Sequence, residues 1–426
     1  MFGKLPGNIF LYLMSNKIVL ITSGQPSLNP RLVKEADALT GSGFQVTVIY
    51  QYWNVWGTKT DQLWLSSKKW SAIRIGGSPK QHKVVYWLSR FQHKTVKTLF
   101  KYFGFKYQLA ERAAGRCTFL MLKEALRHSA GLYIAHNLAA LPVAVLAAKK
   151  HKVKCGFDAE DFHRNEVSDD PNHSDVRLKT YLEEKYIPQT DYLTASSLAI
   201  TQLYQKLFPS KKIVTVLNAF PIVKEVQLPI VQPNQPLKLF WFSQTIGLNR
   251  GLQDIFSALK FLEDELIELH LLGFLDEQTS VKLNELIAGL QFQKKPFVFF
   301  HPPVNPDQLS IFAAKFDVGL ALEPCFSINN NAALSNKIFT YLQAGLAVVA
   351  TDTLAQKQFM AENPQLGFCY EKGNAQQLSE ILKHLLNAPE LLLKTKQEAY
   401  MSARSNLNWE TESLKFLKVV EETLAD

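Results

Sequence analysis

The residues that mark disulfide-rich, zinc-binding and membrane-spanning proteins are scarce in this sequence. Its four cysteines show neither a disulfide framework nor a zinc spacing: Cys117, Cys155, Cys325 and Cys369. The longest apolar run, residues 138–148, is too short to cross a bilayer and contains a proline. The start MFGKLPGNIFLYLM has no small-residue cleavage site, so we expect residues 1–13 to be a misassigned start or a loose arm. These scarcities favour a cytoplasmic protein with buried thiols.

What is present is a large apolar fraction and an uneven distribution of charge. Hydrophobic residues make up 47% of the 426 residues, which is typical of a globular chain too long for one core. Residues 1–218 hold 30 Lys and Arg against 15 Asp and Glu, whereas the remainder holds 17 against 23. The net charge of +9 therefore combines a basic first half with an acidic second half.

The basic excess is concentrated in residues 59–127, which hold 15 Lys and Arg against three acidic residues. Aromatic side chains are interleaved with these cations, a pattern that suits an anionic membrane surface. Nucleic acid is the rival polyanion, but no helix-turn-helix, RNP or zinc-finger pattern occurs, so we expect no nucleic-acid partner. A solvated face above core aromatics is an alternative that the sequence leaves open.

Short apolar runs alternate with helical patterns, which predicts an α/β chain with parallel sheets. We predict strands at residues 17–22, 44–50, 131–136, 153–158, 191–196, 212–218, 237–243, 267–273, 297–301, 317–322 and 346–351. A helix is expected from Pro30, capped by Asn29, and others near residues 138–150, 174–190 and 198–208.

A proline-rich segment at residues 218–236 separates two such patterns and is predicted to be an interdomain linker. We therefore predict two doubly wound, Rossmann-like domains, residues 1–222 and 223–426. Such domains are expected to face each other across a ligand cleft.

Ligands in doubly wound domains lie beyond the carboxyl ends of the strands, and two loops there have suitable residues. In SQTIGLNRGL (243–252), Gly247 and Gly251 would let the backbone approach a ligand, and Arg250 could bind a phosphate. In LEPCFSINNN (322–331), the Glu323 carboxylate could accept hydrogen bonds from a polyhydroxyl group. The same residues also fit a structural reading in which the glycines form a turn, Arg250 is a surface arginine and Glu323 lies in a solvated turn.

A third loop, in NNNAALSNKIFTYLQAGLAVVATD (329–352), raises an electrostatic question. Ser335 or Asn336 can cap a helix here, and Lys337 lies in its first turn. A cation at that position is disfavoured by the helix dipole by roughly 0.3–1 kcal/mol. A diphosphate bound between Lys337 and Arg250 would remove the conflict, although solvent screening of an exposed lysine would also suffice.

In this order and spacing the three loops resemble the donor half of the retaining glycosyltransferases of family 4. The same resemblance is seen in two longer segments, FVFFHPPVNPDQLSIFAAKFDVGLAL and NKIFTYLQAGLAVVATD. The segment NLNWETESLKFL resembles the family's closing helix, which crosses back to the first domain. The first half matches more loosely at residues 29–49 and 132–163. The resemblance covers nearly the whole chain and implies the GT-B fold.

The resemblance implies transfer of a sugar from a nucleotide-diphosphate sugar with retention of configuration, without a metal or another cofactor. Arg250 and Lys337 would hold the diphosphate and favour its departure. The other donor contacts would be Thr245, Gly247, Gly251, Glu323, Asn336 and Thr340. The acceptor would be bound by the first domain, at Ser23, Gly24, Arg31, His136 and Glu160. The polar cluster at residues 158–175 matches no standard metal site and is interpreted as a polar loop.

Three positions depart from the family pattern. Thr340 occupies the place of the glutamate that binds the ribose, Ala332 falls near the place of its partner, and Glu160 stands where relatives often have histidine. We predict a hexosyltransferase that extends a lipid-linked or surface glycan at the cytoplasmic face of a bacterial membrane. Two alternatives stay open. One is a degenerate, non-catalytic subunit that scaffolds polysaccharide assembly, and the other is a nucleotide-sugar epimerase.

Overall fold

The computed structural model describes residues 16–231 and 235–426, which divide into two compact units. The first unit is the chain up to Leu217 together with Ser413–Asp426, and the second unit is Asn218–Glu412. Residues 1–13 and residues 232–234 of the predicted linker lie outside the described residues. Among the helices described, none combines the length and the apolar character needed to cross a membrane.

The first unit is built on a seven-stranded parallel sheet in the order β3-β2-β1-β4-β5-β6-β7. Its strands are β1 (Lys17–Thr22), β2 (Gln45–Gln51), β3 (Ser71–Ile75), β4 (Leu132–His136), β5 (Lys154–Ala159), β6 (Tyr192–Ala195) and β7 (Lys212–Thr215). All except β3 match predicted strands. The prediction missed β3 because this edge strand, SAIRI, has no buried residue and therefore no apolar run.

The helices of the first unit include one that the capping rules predict well. They are α1 (Pro30–Gly41), α2 (Val55–Trp64), α3 (Lys83–Phe103), α4 (Leu109–Ala114), α5 (Thr118–Ala125), α6 (Leu141–His151), α7 (Ser174–Tyr186) and α8 (Leu198–Leu207). Helix α1 begins at Pro30, and the Asn29 side chain accepts a hydrogen bond from the Leu32 amide at 3.0 Å. Its buried residues recur at helical spacing, so one side of α1 faces the core.

The second unit is built on a six-stranded parallel sheet in the order β10-β9-β8-β11-β12-β13. Its strands are β8 (Leu237–Thr245), β9 (Ile267–Phe274), β10 (Phe297–His301), β11 (Val318–Ala321), β12 (Ala347–Thr351) and β13 (Gly367–Tyr370). The sequence predicts these strands apart from β13. That edge strand, GFCY, has four residues, too few for a periodic signal.

The second unit also contains the helix that carries Lys337. Its helices are α9 (Leu252–Lys260), α10 (Glu277–Gly289), α11 (Pro306–Ala313), α12 (Ile328–Ala332), α13 (Asn336–Ala344), α14 (Leu354–Glu362), α15 (Ala375–Asn387), α16 (Pro389–Ser405) and the first residues of α17 (Trp409–Ala425). The later residues of α17 belong to the first unit. Apolar residues from β8, β9, β11 and β12 form the core together with those of α9 and α15.

Strand order reverses once in each sheet, between β1 and β4 and between β8 and β11. Ligands of open α/β sheets bind at the carboxyl ends of the strands beside such a reversal. Ser23 follows β1 and His136 ends β4, whereas Thr245 ends β8 and Glu323 lies two residues beyond β11. The fold therefore places most of the predicted site residues at the two switch points.

A glycine on β11 lets α13 pack closely over the second sheet. A Cβ atom at Gly319 would lie 2.2 Å from Cγ of Tyr341, so any side chain there would displace the aromatic ring. The Tyr341 hydroxyl donates a hydrogen bond of 2.9 Å to the Leu320 carbonyl. Gly319 therefore fixes the distance between α13 and the sheet, and with it the position of Lys337.

Replacing Gly319 by alanine should destabilise the second unit, because the Tyr341 ring would have to move. Overpacking of this kind costs about 1–3 kcal/mol, which urea denaturation can measure. Gly289→Ala is the matched control, since a Cβ atom there meets nothing within 4 Å. Equal stability of the two variants would contradict the close packing.

Candidate functional site

The first loop of the second unit follows β8 and brings an exposed arginine to the switch point. Thr245 is exposed at the strand end, and Gly247 has an extended backbone with φ −168°. Arg250 is exposed at the end of a single 3-10 turn. Nothing lies within 4 Å of where a Gly247 Cβ atom would be, so the space above this loop is open.

Gly251 joins this loop to the end of β11. Its φ of +78° lies in the left-handed region, which favours glycine. A Cβ atom at Gly251 would lie 2.9 Å from the Leu322 Cβ atom. The loop that carries Arg250 is therefore held against the residue that precedes Glu323.

Glu323 in turn contacts the first turn of α13. Its Oε1 atom accepts hydrogen bonds from Lys337 Nζ at 2.7 Å and from Ser335 Oγ at 2.8 Å. The Glu323 amide donates to Thr351 Oγ1, at the end of β12, at 3.0 Å. The structure thus brings all three predicted loops together at the carboxyl ends of β8, β11 and β12.

The Glu323 carboxylate explains how a lysine is tolerated near the N-terminus of α13. The lysine near the helix N-terminus is neither unpaired nor screened by solvent alone, because both side chains are largely buried and form an ion pair. Burial by itself would raise the pKa of Glu323, but the Lys337 cation and the hydrogen bonds from Lys337 and Ser335 outweigh it, so the pKa is lowered. The sequence did not reveal this pairing, because 14 residues separate the two side chains.

Two other predicted donor residues occupy different environments on α13. Asn336 is exposed, and its Oδ1 atom accepts a hydrogen bond from Asn218 Nδ2 at 3.1 Å. Thr340 is only 2% exposed, because it lies on the helix face that packs into the unit. Trp241 of β8 lies beneath the pair, with its ring centroid 6.0 Å from Lys337 Nζ.

At the first switch point, an asparagine side chain ties β1 to β4. Asn137 Oδ1 accepts a hydrogen bond from Ser23 Oγ at 2.7 Å, and Asn137 Nδ2 donates to Thr22 Oγ1 at 2.9 Å. The Gly24 amide donates to the same threonine oxygen at 3.1 Å. Ser23 and Gly24 are partly exposed, so they can contact a ligand there.

A buried ion network lies beside this loop. The register of the sheet sets His136 next to Asp158 and Asp158 next to Thr194. Arg31 of α1 donates to both carboxylate oxygens of Asp158, at 2.7 and 2.8 Å. Glu35, one helical turn after Arg31, lies 3.1 Å from His136 Nε2. Glu35 is a member of the network that the sequence analysis missed, although its inward i+4 spacing from Arg31 was a signal.

The network favours the charged forms of His136 and Asp158, whereas burial and the neighbouring Asp158 carboxylate raise the pKa of Glu35. Burial by itself would lower the pKa of His136, but the Glu35 carboxylate and hydrogen bonds to the neighbouring carboxylates raise it well above its usual value. Burial would likewise raise the pKa of Asp158, but Arg31 and His136 hold that pKa well below its usual range.

The burial differs from the expectation that Arg31 and His136 are exposed acceptor contacts. Arg31 is 1% exposed and His136 is 0% exposed, because their charges are matched inside the unit. Glu160 keeps 27% of its side chain exposed and lies 3.6 Å from His136 Nδ1. Of these three residues, Glu160 alone reaches the surface.

The same network contains the group of described residues that could hold a metal ion, namely Glu35, His136 and Asp158, whose ligand atoms lie within 4.8 Å of one another. Both oxygens of Asp158 already accept hydrogen bonds from Arg31. A buried arginine beside these carboxylates supplies the positive charge that a metal would bring. We therefore interpret the cluster as an ion-pair network.

Replacing Arg31 by methionine should strongly destabilise the first unit, because buried Asp158 would lose both hydrogen bonds from its guanidinium partner and keep only His136 beside it. Breaking a buried ion pair costs about 3–5 kcal/mol of unfolding free energy. The control is Arg127→Ala, which removes an ion pair of a 62% exposed side chain and should cost at most about 1 kcal/mol. Similar losses in both variants, measured by denaturant unfolding, would contradict a structural role for the network.

Replacing Glu323 by glutamine should remove a pH-dependent part of stability. Because the folded state lowers the pKa of Glu323, the charged carboxylate stabilises the protein at neutral pH, and this contribution is lost as pH falls through the lowered pKa. The wild type should therefore exceed Glu323→Gln in melting temperature at pH 7, with the gap closing in acid. Glu277→Gln, at an exposed site on α10, is the control. A gap that does not change with pH would contradict the ion pair.

Comparison with known proteins gives a result at the level of structure. No family model matches the chain, and no curated protein matches its sequence. Three solved structures are similar over nearly their whole length. A glycosyltransferase from Rickettsia africae has a TM-score of 0.65 and 16% identity, covering 96% of this chain and 99% of that one.

Two further neighbours give the same picture. HepE of Anabaena, solved in complex with UDP, has a TM-score of 0.66 and 14% identity, covering 95% of this chain and 100% of that one. Sucrose-phosphate synthase of Thermosynechococcus elongatus has a TM-score of 0.64 and 13% identity, covering 96% and 99%. Identities this low establish architecture alone, and the resemblance seen in the sequence is confirmed at that level. The chain has the GT-B fold that these glycosyltransferases share.

Proposed function

We propose that this chain is a retaining glycosyltransferase that takes a sugar from a nucleotide-diphosphate donor without a metal ion or another cofactor. The observation that carries the proposal is the meeting of three loops at the switch point of the second unit. There an exposed arginine, a lysine in the first turn of a helix and an open glycine loop occur together. Cations beside a helix N-terminus are suited to a diphosphate.

The donor would be bound by residues 223–426. Arg250 is exposed beside the open space above Gly247 and would contact one side of the diphosphate. Lys337 and the amides of the first turn of α13 would meet the other side. HepE has been solved with UDP and with UDP-glucose, so a uridine nucleotide is the first donor to examine. Thr245 and Asn336, which are also exposed, would contact the same donor.

The two cations would act on the leaving group. As the bond from the sugar to the diphosphate breaks, negative charge builds up on the departing phosphate, and fixed cations there lower the barrier. An acceptor hydroxyl attacking from the face that the diphosphate leaves would retain the anomeric configuration. Lys337 is positioned for this role in advance, because Glu323 and Ser335 hold its side chain.

The acceptor would be bound by residues 1–222, through Ser23, Gly24 and Glu160. Ser23 and Gly24 are partly exposed at the first switch point, and Glu160, which follows β5, is partly exposed beside the buried network. Arg31 and His136 would act by positioning Glu160 and the end of β5. The acceptor we propose is a lipid-linked or surface glycan at the cytoplasmic face of a membrane, because the first half of the chain is strongly basic.

Two features of α13 favour a second candidate, a non-catalytic subunit that scaffolds glycan assembly. Thr340 is buried and neutral where the resemblance implies a carboxylate for the ribose. Lys337 is already paired with Glu323, so a structural role would suffice to explain it. The catalytic candidate accounts in addition for Arg250, which is exposed at the switch point.

Arg250→Ala and Lys337→Ala should each weaken nucleotide binding and reduce sugar transfer on the order of 10²–10³-fold, because each removes charge stabilisation of the leaving group. A thermal-shift screen with UDP, GDP and ADP identifies the nucleotide, and release of that nucleotide from its sugar conjugates measures transfer. Lys282→Ala, on an exposed part of α10, is the matched control.

The results separate the two candidates. Loss of both binding and transfer in the two variants, but not in the control, supports the enzyme. Binding of a nucleoside diphosphate with no release from any sugar conjugate favours the scaffold. Wild-type transfer by Arg250→Ala and Lys337→Ala would overturn the proposed site.

A further inference from the structure

Helix α3, Lys83–Phe103, has three faces of different chemistry. The inner face is fixed to the first unit: Tyr86 and Ser89 are buried, Ser89 Oγ accepts a hydrogen bond from Arg116 Nη1 at 2.6 Å, and His93 Nε2 lies 3.0 Å from the Ala113 carbonyl. The Tyr86 ring also packs edge-on against Tyr52. Because these contacts set the rotation of the helix, the residues on its other faces have defined directions.

The outer face of α3 is apolar and unusually exposed. Its large side chains are between 38% and 80% exposed: Val84, Trp87, Leu88, Phe91, Leu99 and Tyr102. At about 100° per residue these six fall on the side of the helix opposite the inner face. Val84, Trp87, Leu88 and Phe91 form one apolar group, and Leu99 and Tyr102 form a second beyond the exposed Thr95 and Thr98. Groups of exposed apolar side chains on one helix face mark a binding site, whereas single exposed apolar residues do not.

A stripe of cations runs along one edge of the apolar face. It consists of Lys83, Arg90, Lys94, Lys97 and Lys101, which at about 100° per residue lie within about 60° of one another. The helix sequence contains no aspartate or glutamate to oppose them. Arg90 lies over the Trp87 ring, with its Cζ atom 5.7 Å from the centroid, at the boundary between the two stripes.

We propose that α3 binds an anionic lipid bilayer by lying in the plane of its interface. The apolar stripe would enter the boundary between headgroups and acyl chains, and the cations would reach the lipid phosphates from the edge. A helix of 21 residues is about 31 Å long, so both stripes can engage along several turns.

The two stripes together select this partner. Nucleic acid would match the cations, but its phosphate backbone offers nothing to cover Phe91, Leu88 or Val84. A neutral apolar surface would match the outer face and leave five cations without counter-charges. The inference rests on the proposed function in one respect: a lipid-linked acceptor would explain why the protein attaches to a membrane.

Co-sedimentation with vesicles tests the proposal on the full chain. We expect binding to vesicles of phosphatidylglycerol and phosphatidylcholine, release by raised salt, and little binding to phosphatidylcholine alone. Lys94→Gln with Lys97→Gln should weaken binding by roughly fivefold per residue. The matched control is Lys149→Gln with Lys150→Gln, two exposed lysines at the end of α6.

Insertion is tested separately from charge. Lipids brominated on their acyl chains should quench tryptophan fluorescence in the wild type and distinctly less in Trp87→Phe. Phe91→Ser should reduce vesicle binding several-fold, whereas Phe261→Ser, at a 60% exposed site in the second unit, should not. Equal quenching in the wild type and Trp87→Phe would overturn insertion of α3.

Other outcomes also decide the matter. Equal binding to neutral and anionic vesicles, no binding to either, or equal effects of the two lysine pairs would overturn the proposal. Because vesicle binding needs no sugar transfer, a protein that binds a nucleotide but no vesicle would refute this inference and leave the proposed use of a nucleotide-sugar donor standing. The reverse result would refute the enzyme and not the membrane surface.

Discussion

A parallel sheet whose strand order reverses has one place at its carboxyl edge where neighbouring connections leave in different directions and a crevice stays open. Both sheets of this chain have such a place, at β1/β4 and at β8/β11. The rest of the architecture depends on this constraint. It decides which loops meet, and it brings together residues that lie far apart in the chain, such as Ser23 with Asn137 and Gly251 with Leu322.

The two switch points use charge in opposite ways. The first unit buries four ionisable side chains and pairs them with one another, so they stabilise the fold and are not accessible to a ligand: Arg31, Glu35, His136 and Asp158. In the second unit, Arg250 is exposed to solvent, whereas the ion pair between Lys337 and Glu323 is only partly exposed. A bound anion requires accessible positive charge, so the phosphate site that we propose lies in the second unit and not at the buried network.

The sequence predicts the class of fold and most strands, because buried parallel strands are uninterrupted apolar runs. It missed β3 and β13, the short edge strands, where exposure weakens the apolar signal. It predicted which loops follow the strand ends, but not the burial of Arg31 and His136. That burial depends on the register of β4 against β5 and on the direction of α1, which are set by packing across the whole unit. The basic, aromatic stretch was visible as composition, whereas its division into stripes on α3 needed the helix bounds and the inner contacts.

The ion pair between Glu323 and Lys337 has a consequence for how this site would handle a charged ligand. As a pair, the lysine and its carboxylate carry little net charge, so they contribute little to the long-range attraction of an anion. The ammonium group has three N–H donors and Glu323 accepts one of them, so a phosphate could bind the remaining donors without displacing the carboxylate. Selectivity would then arise at contact, from the direction in which Glu323 and Ser335 hold the ammonium group.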